Sequence, residues 1–201
     1  MKDNIEPKRI TVKASQKGSL EKKIEIATQT LERNIGFING CDTKTSIVLA
    51  SVGVLLTIIL TNNGLSEIFQ ITKACIDAKT FCSILYLVGL IISSCTLVVG
   101  LWKLVSVLIA KVEPPTKTAR QPVSSLIFFG GILKAGNPST YRSKFIAMKD
   151  AELLDDLISE IYINAEIATQ KYHRYNLGLR LVVLGFVFFV LLLLVGIYLY
   201  R

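Results

Sequence analysis

Three uninterrupted apolar blocks constrain this chain more than any other feature. They run from Thr45 to Thr61, from Phe81 to Trp102 and from Leu181 to Tyr200, and none holds a charged residue. A helix crosses a bilayer core of about 30 Å with roughly 17–25 residues, so the second and third blocks suffice and the first is short. Hydrophobic residues make up 51% of the chain. Bunched into blocks rather than spread at amphipathic spacing, they suit lipid as the solvent. The pattern predicts an all-α membrane protein with three transmembrane helices. A secretory signal is excluded, because 44 residues precede the first block and no small-residue cleavage site follows it.

Lysine and arginine set the expected orientation, since cytoplasmic segments collect them. Residues 1–44 carry nine, the connection 62–80 carries Lys73 and Lys79, Lys103 to Arg180 carries eleven, and Arg201 ends the chain. The N-terminus and the long second connection are therefore expected in the cytoplasm, with the first loop and the C-terminus facing out. The net charge of +8 is then mainly a topology signal. A nucleic-acid partner would call for a clustered basic face, whereas these charges are interspersed with Asp150, Glu152, Asp155, Asp156, Glu160 and Glu166.

The organisation reads as follows. Residues 1–18 lack apolar periodicity and read as a mobile tail. Ser19 opens an amphipathic helix over 19–44, with Leu20, Ile24, Ala27, Leu31, Ile35 and Ile38 on one stripe. The first span, 45–61, is followed by an external loop, 62–80, containing a short amphipathic helix expected on the outer membrane face. The second span covers 81–102. Over 103–149, Pro114, Pro115 and Pro122 interrupt a linker, and an apolar, Gly-punctuated loop or short strand follows. A helix over 150–180 then carries Leu154, Ile158, Ile161, Ala165, Ala168, Tyr172 and Tyr175 at steps of four and three, leading into the third span, 181–200. The helices 19–44 and 150–180 both run from cytoplasm into membrane, so they are expected as parallel stalk helices extending the first and third spans. The pairing of their stripes is open to being within one chain, between chains or both, and a homo-oligomer is expected.

The junction "GCDTKTS" at residues 40–46 concentrates the interest. Lys44 can reach lipid headgroups at the boundary. Asp42 cannot, and two residues apart on a helix the pair does not face each other. Asp42 is expected either to meet Lys171 or Arg174 across the stalk, holding a resting register, or to cap a helix end through Thr45. The sole histidine, His173, lacks metal-ligand neighbours at useful spacing, and Asp155 and Asp156 beside Glu152 read as a solvated face. Cys75 and Cys82 flank the outer loop and are either a disulfide or free thiols. No P-loop, GxGxxG, GxSxG or HExxH occurs, and no enzyme is indicated.

"LERNIGFINGCDTKTSIVLASVGVLL", "SSLIFFGGI" and "LLDDLISEIYINAEIATQKYHRYNLGLRLV", in that order, resemble the Pycsar-effector transmembrane domain family over roughly residues 19–200. The matching positions are Asp42, Thr43 and Lys44; Phe128, Phe129 and Gly130; and Asn164, Ala165, Ile167, Lys171 and Tyr172. The resemblance implies a bacterial anti-phage effector of the inner (cytoplasmic) membrane. Cyclic CMP or cyclic UMP from a partner pyrimidine cyclase would activate it to impair the inner membrane. The alternative is a structural or scaffolding membrane subunit that senses nothing.

A cyclic nucleotide needs cations or backbone N–H groups for its phosphate and an aromatic face for its base. Arg120, Phe128, Phe129, Tyr141, Arg142 and Lys144 supply both in one stretch, with core packing as the competing use of the two phenylalanines.

Overall fold

The computed structural model describes residues 6–109 and 125–200, the side chains of residues 6–17, Asn62, Phe129 and Tyr200 excepted. Every element among the described residues is a helix: α1 Glu6–Ile59, α2 Asn62–Ala78, α3 Phe81–Leu108, α4 Phe129–Leu133, α5 Pro138–Ala147 and α6 Asp150–Tyr200. Three of them, α1, α3 and α6, are long and apolar enough to cross a membrane. The chain is a multi-pass, all-α membrane protein.

Helix α1 starts at Glu6, well ahead of the start expected at Ser19. Pro7 fits the first turn, where its missing N–H costs nothing, and no later proline interrupts the helix. At the head of α6, Asp150 and Glu152 lie in the first turn, and Glu152 Oε2 accepts from the Lys149 N–H at 3.1 Å. Negative charge there complements the exposed N–H groups of the helix start. The stretch expected as a loop or short strand forms α4 and α5 instead. Gly136, at φ +82°, reverses the chain between them. Asn137 then caps α5 by accepting from Thr140 N–H at 2.8 Å, with Pro138 in the first turn.

The chain forms two compact units, to both of which α1 and α6 contribute. The first comprises residues 1–39 and 111–169. In it α1 meets α6 through Asn34, whose Nδ2 donates to Ile161 O at 3.1 Å. Among the described residues, those buried in it are Ala27, Ser125, Asp156, Leu157, Glu160, Ile163 and Ala168. The face expected to be buried on α6 is thus displaced: Ile158 is 52% exposed, and two carboxylates take inward positions.

The second unit comprises residues 40–110 and 170–201. Lipid tails are as apolar as leucine, so spans associate through close backbone approach rather than hydrophobic burial. Here α6 presents a glycine seam to α3. A Cβ on Gly185 would lie 2.6 Å from Leu97 N, and one on Gly178 3.1 Å from Leu104 N. From the α3 side, one on Gly100 would lie 2.7 Å from Val182 N. These contacts step in opposite directions along the two helices, which are therefore antiparallel. Near the far end of the seam, Tyr86 Oη donates to Leu192 O at 3.0 Å. Val52 of α1 packs into the same cluster as Leu97, Leu104 and Val182. A second cluster joins Ile71 and Cys75 of α2 to Tyr86. Cys75 is buried, Cys82 is exposed, and no disulfide joins them.

Overpacking a tight contact costs roughly 1–3 kcal/mol. Gly185→Leu is therefore expected to lower unfolding stability in detergent by about that amount. Gly53→Leu, at a position with nothing within 4 Å, is expected to leave it unchanged. Denaturant titration followed by circular dichroism measures both.

Candidate functional site

Two groups of side chains stand out, one in each unit. In the second unit, the helix start at Glu6 leaves Asp42 in mid-helix with no end to cap. Thr45 Oγ1 donates to Cys41 O at 2.8 Å, so the hydroxyl is spent on its own helix. Asp42 turns to α6, where Lys171 Nζ donates to its Oδ1 at 2.5 Å and its Oδ2 at 2.8 Å. The third ammonium proton goes to Val107 O at 2.8 Å, in the last turn of α3. Helix ends leave carbonyls without intrahelical partners, and a cation there also meets the negative end of the helix dipole. One buried ammonium thus ties α1, α3 and α6 together. Arg174 Nη1 makes a longer contact, 3.5 Å, to Ser106 O in the same turn. Lys44 is exposed.

The Val107 carbonyl was invisible to sequence reasoning, which pairs charges with charges. A lysine predicted near the end of an uncharged span is the signal that could have found it.

In the first unit, the "SSLIFFGG" stretch folds as a turn docked on α6. Asp156 Oδ2 accepts the Leu126 N–H at 2.9 Å, and Tyr141 Oη donates to Leu126 O at 3.0 Å. Ser125 Oγ accepts from Phe128 N–H at 3.0 Å. A Cβ on Gly131 would lie 1.9 Å from Ser125 O, so the turn closes only over glycine. The solvated acidic face expected here is corrected at Asp156, which is 8% exposed, and beside it Glu160 is 5% exposed. Burial pushes the Glu160 carboxyl above the usual carboxylate range, and the Asp156 charge adds to the rise. A hydrogen bond from Ser125 opposes both. Asp156 Oδ1 is buried without a hydrogen-bond partner.

The residues expected to bind a nucleotide are only partly gathered. Arg120 lies outside the described residues. Phe128 is half-buried against its own turn, and Phe129 opens α4. Tyr141 lines a recess of about 290 Å³ together with Ile132, Leu133, Gly136, Asn137 and Pro138. Its ring also lies 5.8 Å from that of Phe145, centre to centre. Arg142 and Lys144 are exposed on α5, one and three residues beyond Tyr141.

A family model of the Pycsar effector protein domain matches residues 26–197. The chain belongs to the Pycsar effector family. It is similar to the Pycsar effector protein GmPycTM of Gulbenkiania mobilis, at 28% identity over 183 residues, covering 84% of this chain and 90% of that one. No solved structure matches. Both residue groups described above fall within the family match, and family membership makes this membrane protein an anti-phage defence effector.

Two outcomes are expected. Removing one partner of a buried pair leaves the other uncompensated. Because the Asp42 side chain is 34% exposed, the cost for Lys171→Met is reduced to roughly 2 kcal/mol. The swap Asp42→Lys with Lys171→Asp is expected to recover less than half of that loss, because it sets a carboxylate against the Val107 carbonyl. Denaturant unfolding of the single and double variants measures both effects. At Glu160, the folded protein holds a proton more tightly than the unfolded chain does. Stability is therefore expected to rise as pH falls through the raised folded value, levelling off below the ordinary glutamate value. Glu160→Gln is expected to be the more stable form at neutral pH and to flatten this slope, read from the unfolding midpoint against pH.

Proposed function

We propose that this protein is a non-enzymatic inner-membrane effector that binds a cyclic pyrimidine nucleotide, cyclic CMP or cyclic UMP, and then impairs the membrane. A pyrimidine cyclase is its functional partner through that product, and the working form is a homo-oligomer. The N-terminus and the first unit lie in the cytoplasm, where the nucleotide is made. The match to the Pycsar effector family across residues 26–197, which reaches into both units, carries this reading.

The recess beside Tyr141 is the best-supported place for the ligand. It offers an aromatic ring for the base, with the Arg142 and Lys144 cations nearby for the phosphate. A ligand shifts a conformational equilibrium only by its differential affinity for the two states. Helices α1 and α6 run unbroken through residues of both units, so binding in the first unit biases elements that also build the second. Lys171 and Asp42 then act as coupling residues, holding the resting register, with Arg174 beside them and Lys44 anchoring at the headgroups.

Titration of labelled cyclic CMP and cyclic UMP onto the purified full-length chain tests the reading. Saturable binding of one of them at micromolar concentration or below is expected. Losing a base-stacking ring costs about 1–3 kcal/mol, so Tyr141→Ala is expected to weaken binding about tenfold or more while Tyr141→Phe retains it. Absence of binding of either nucleotide at micromolar concentration sinks the reading.

A further inference from the structure

Helix α5 is tied to its own chain but buries nothing in it. Tyr141 Oη holds it to Leu126 O, yet none of its ten residues is buried. Helices shorter than about 12–15 residues are marginal in water unless packing supports them. Arg142 stands three residues before Phe145 and four before Ile146, so the three side chains share one face. That face is open: Phe145 is 47% and Ile146 71% exposed, and Arg142 is exposed beside them. A second uncovered strip lies on α6. Asp155, Ile158 and Tyr162 follow one another at steps of three and four, again on one face. Ile158 is 52% and Tyr162 64% exposed, and Asp155 is exposed with them. Among the described residues neither Arg142 nor Asp155 has an ion-pair partner.

Lipid does not cover these faces. Tyr162 lies about 28 Å of helical rise ahead of Leu181, where the third apolar block begins. The headgroup layer adds only about 5–8 Å beyond the hydrocarbon core. Asp155 and Ile158 are further still along α6, and α5 is held near Asp156 through Leu126. A helix lying on a bilayer also separates its apolar side from its charged side, whereas Arg142 sits among the apolar residues of α5. Arginine grouped with aromatic and aliphatic side chains is the composition of a protein–protein contact. The two strips complement each other, one joining two apolar side chains to a cation and the other joining two to an anion. Pairing α5 with α5 would oppose two arginines, and α6 with α6 two aspartates, so each strip fits the other and not itself. Both are exposed within one chain, so they meet only between chains.

We propose that the α5 face of one copy docks on the α6 strip of a second copy, with Arg142 paired to Asp155 and with Phe145 and Ile146 packed on Ile158 and Tyr162. The contact is heterologous, so each copy presents a different face to each neighbour. All copies enter the membrane in the same sense, which sets the rotation axis along the bilayer normal and closes the contact into a ring, two copies being the smallest. Tyr141 and Lys144, also three apart, share a different face of α5, that of the recess. The proposal rests on the homo-oligomer reading given above and names the surfaces that build it.

Two experiments on the full-length chain test it, both without nucleotide so that the phosphate role of Arg142 does not enter. In detergent, sedimentation is expected to show a multimeric wild type. Arg142→Asp and Asp155→Arg are each expected to weaken self-association about tenfold or more, and the two together to recover most of it. In membranes, chains carrying Ile146→Cys and differently tagged chains carrying Tyr162→Cys are co-expressed, both with Cys82→Ser and Cys95→Ser. Oxidation is expected to join the two kinds to each other several-fold more than either to itself. Loss that the double reversal does not recover, or joining of like to like, overturns the α5–α6 pairing. A multimeric wild type that no reversal weakens and whose cysteines do not join overturns the interface and leaves the homo-oligomer reading intact. A wild type that sediments as a monomer and forms no crosslink overturns both.

Discussion

The ammonium of Lys171 is the contact on which the arrangement of the spans depends. It has three protons and meets three oxygens: both of Asp42 and the carbonyl of Val107. The two carboxylate oxygens belong to α1 and the carbonyl to α3, so a single group fixes both helices against α6. A compact ammonium with rotatable donors suits this better than a planar guanidinium, whose fork favours one flat partner. The carbonyl is as important as the carboxylate. Without it the ion pair would join two helices and leave the end of α3 unsatisfied, a costly condition wherever water is scarce.

From that anchor the glycine seam propagates order along the spans. Leu104 against Gly178, Val182 against Gly100 and Leu97 against Gly185 bring backbones nearly into contact, so sliding α3 by one residue would place side chains where no space exists. Tyr86 closes the far end with a hydroxyl donated to Leu192 O. A polar pin at each end and small residues between them give register without a hydrophobic driving force. Helix α1 has no such seam: a Cβ on Gly53 would meet nothing within 4 Å.

What was legible in the residues divides along physical lines. The three apolar blocks were readable because bilayer thickness imposes a length. Asp42 could be matched to Lys171 or Arg174 because two helices entering the membrane from the same side are parallel, and Lys171 took the carboxylate. The buried face of the 150–180 helix was misread because apolar periodicity assigns carboxylates to solvent. It cannot anticipate that the Leu126 N–H would draw Asp156 inward, with Ser125 meeting Glu160. Helices α4 and α5 were missed although Gly136, Asn137 and Pro138 spell a reversal, a cap and a first-turn proline. The glycines and aromatics around them read as a turn with equal force. The residues expected to bind a nucleotide follow from chemistry alone, and chemistry does not say that the Phe128 ring will pack on its own turn at Gly130.

The two units consequently hold their polar groups in opposite conditions. Around Lys171 the ammonium and the Asp42 carboxylate satisfy each other, with the Val107 carbonyl as the third partner. Around Glu160 a carboxyl is buried beside a second carboxylate whose Oδ1 has no partner, and Ser125 offsets only part of the cost. Burial of a charge without full compensation raises the energy of the state that contains it. The docked turn on α6 is therefore held against an electrostatic cost that the Lys171 contact does not carry. The same turn holds Tyr141, through Leu126 O, at the wall of the recess.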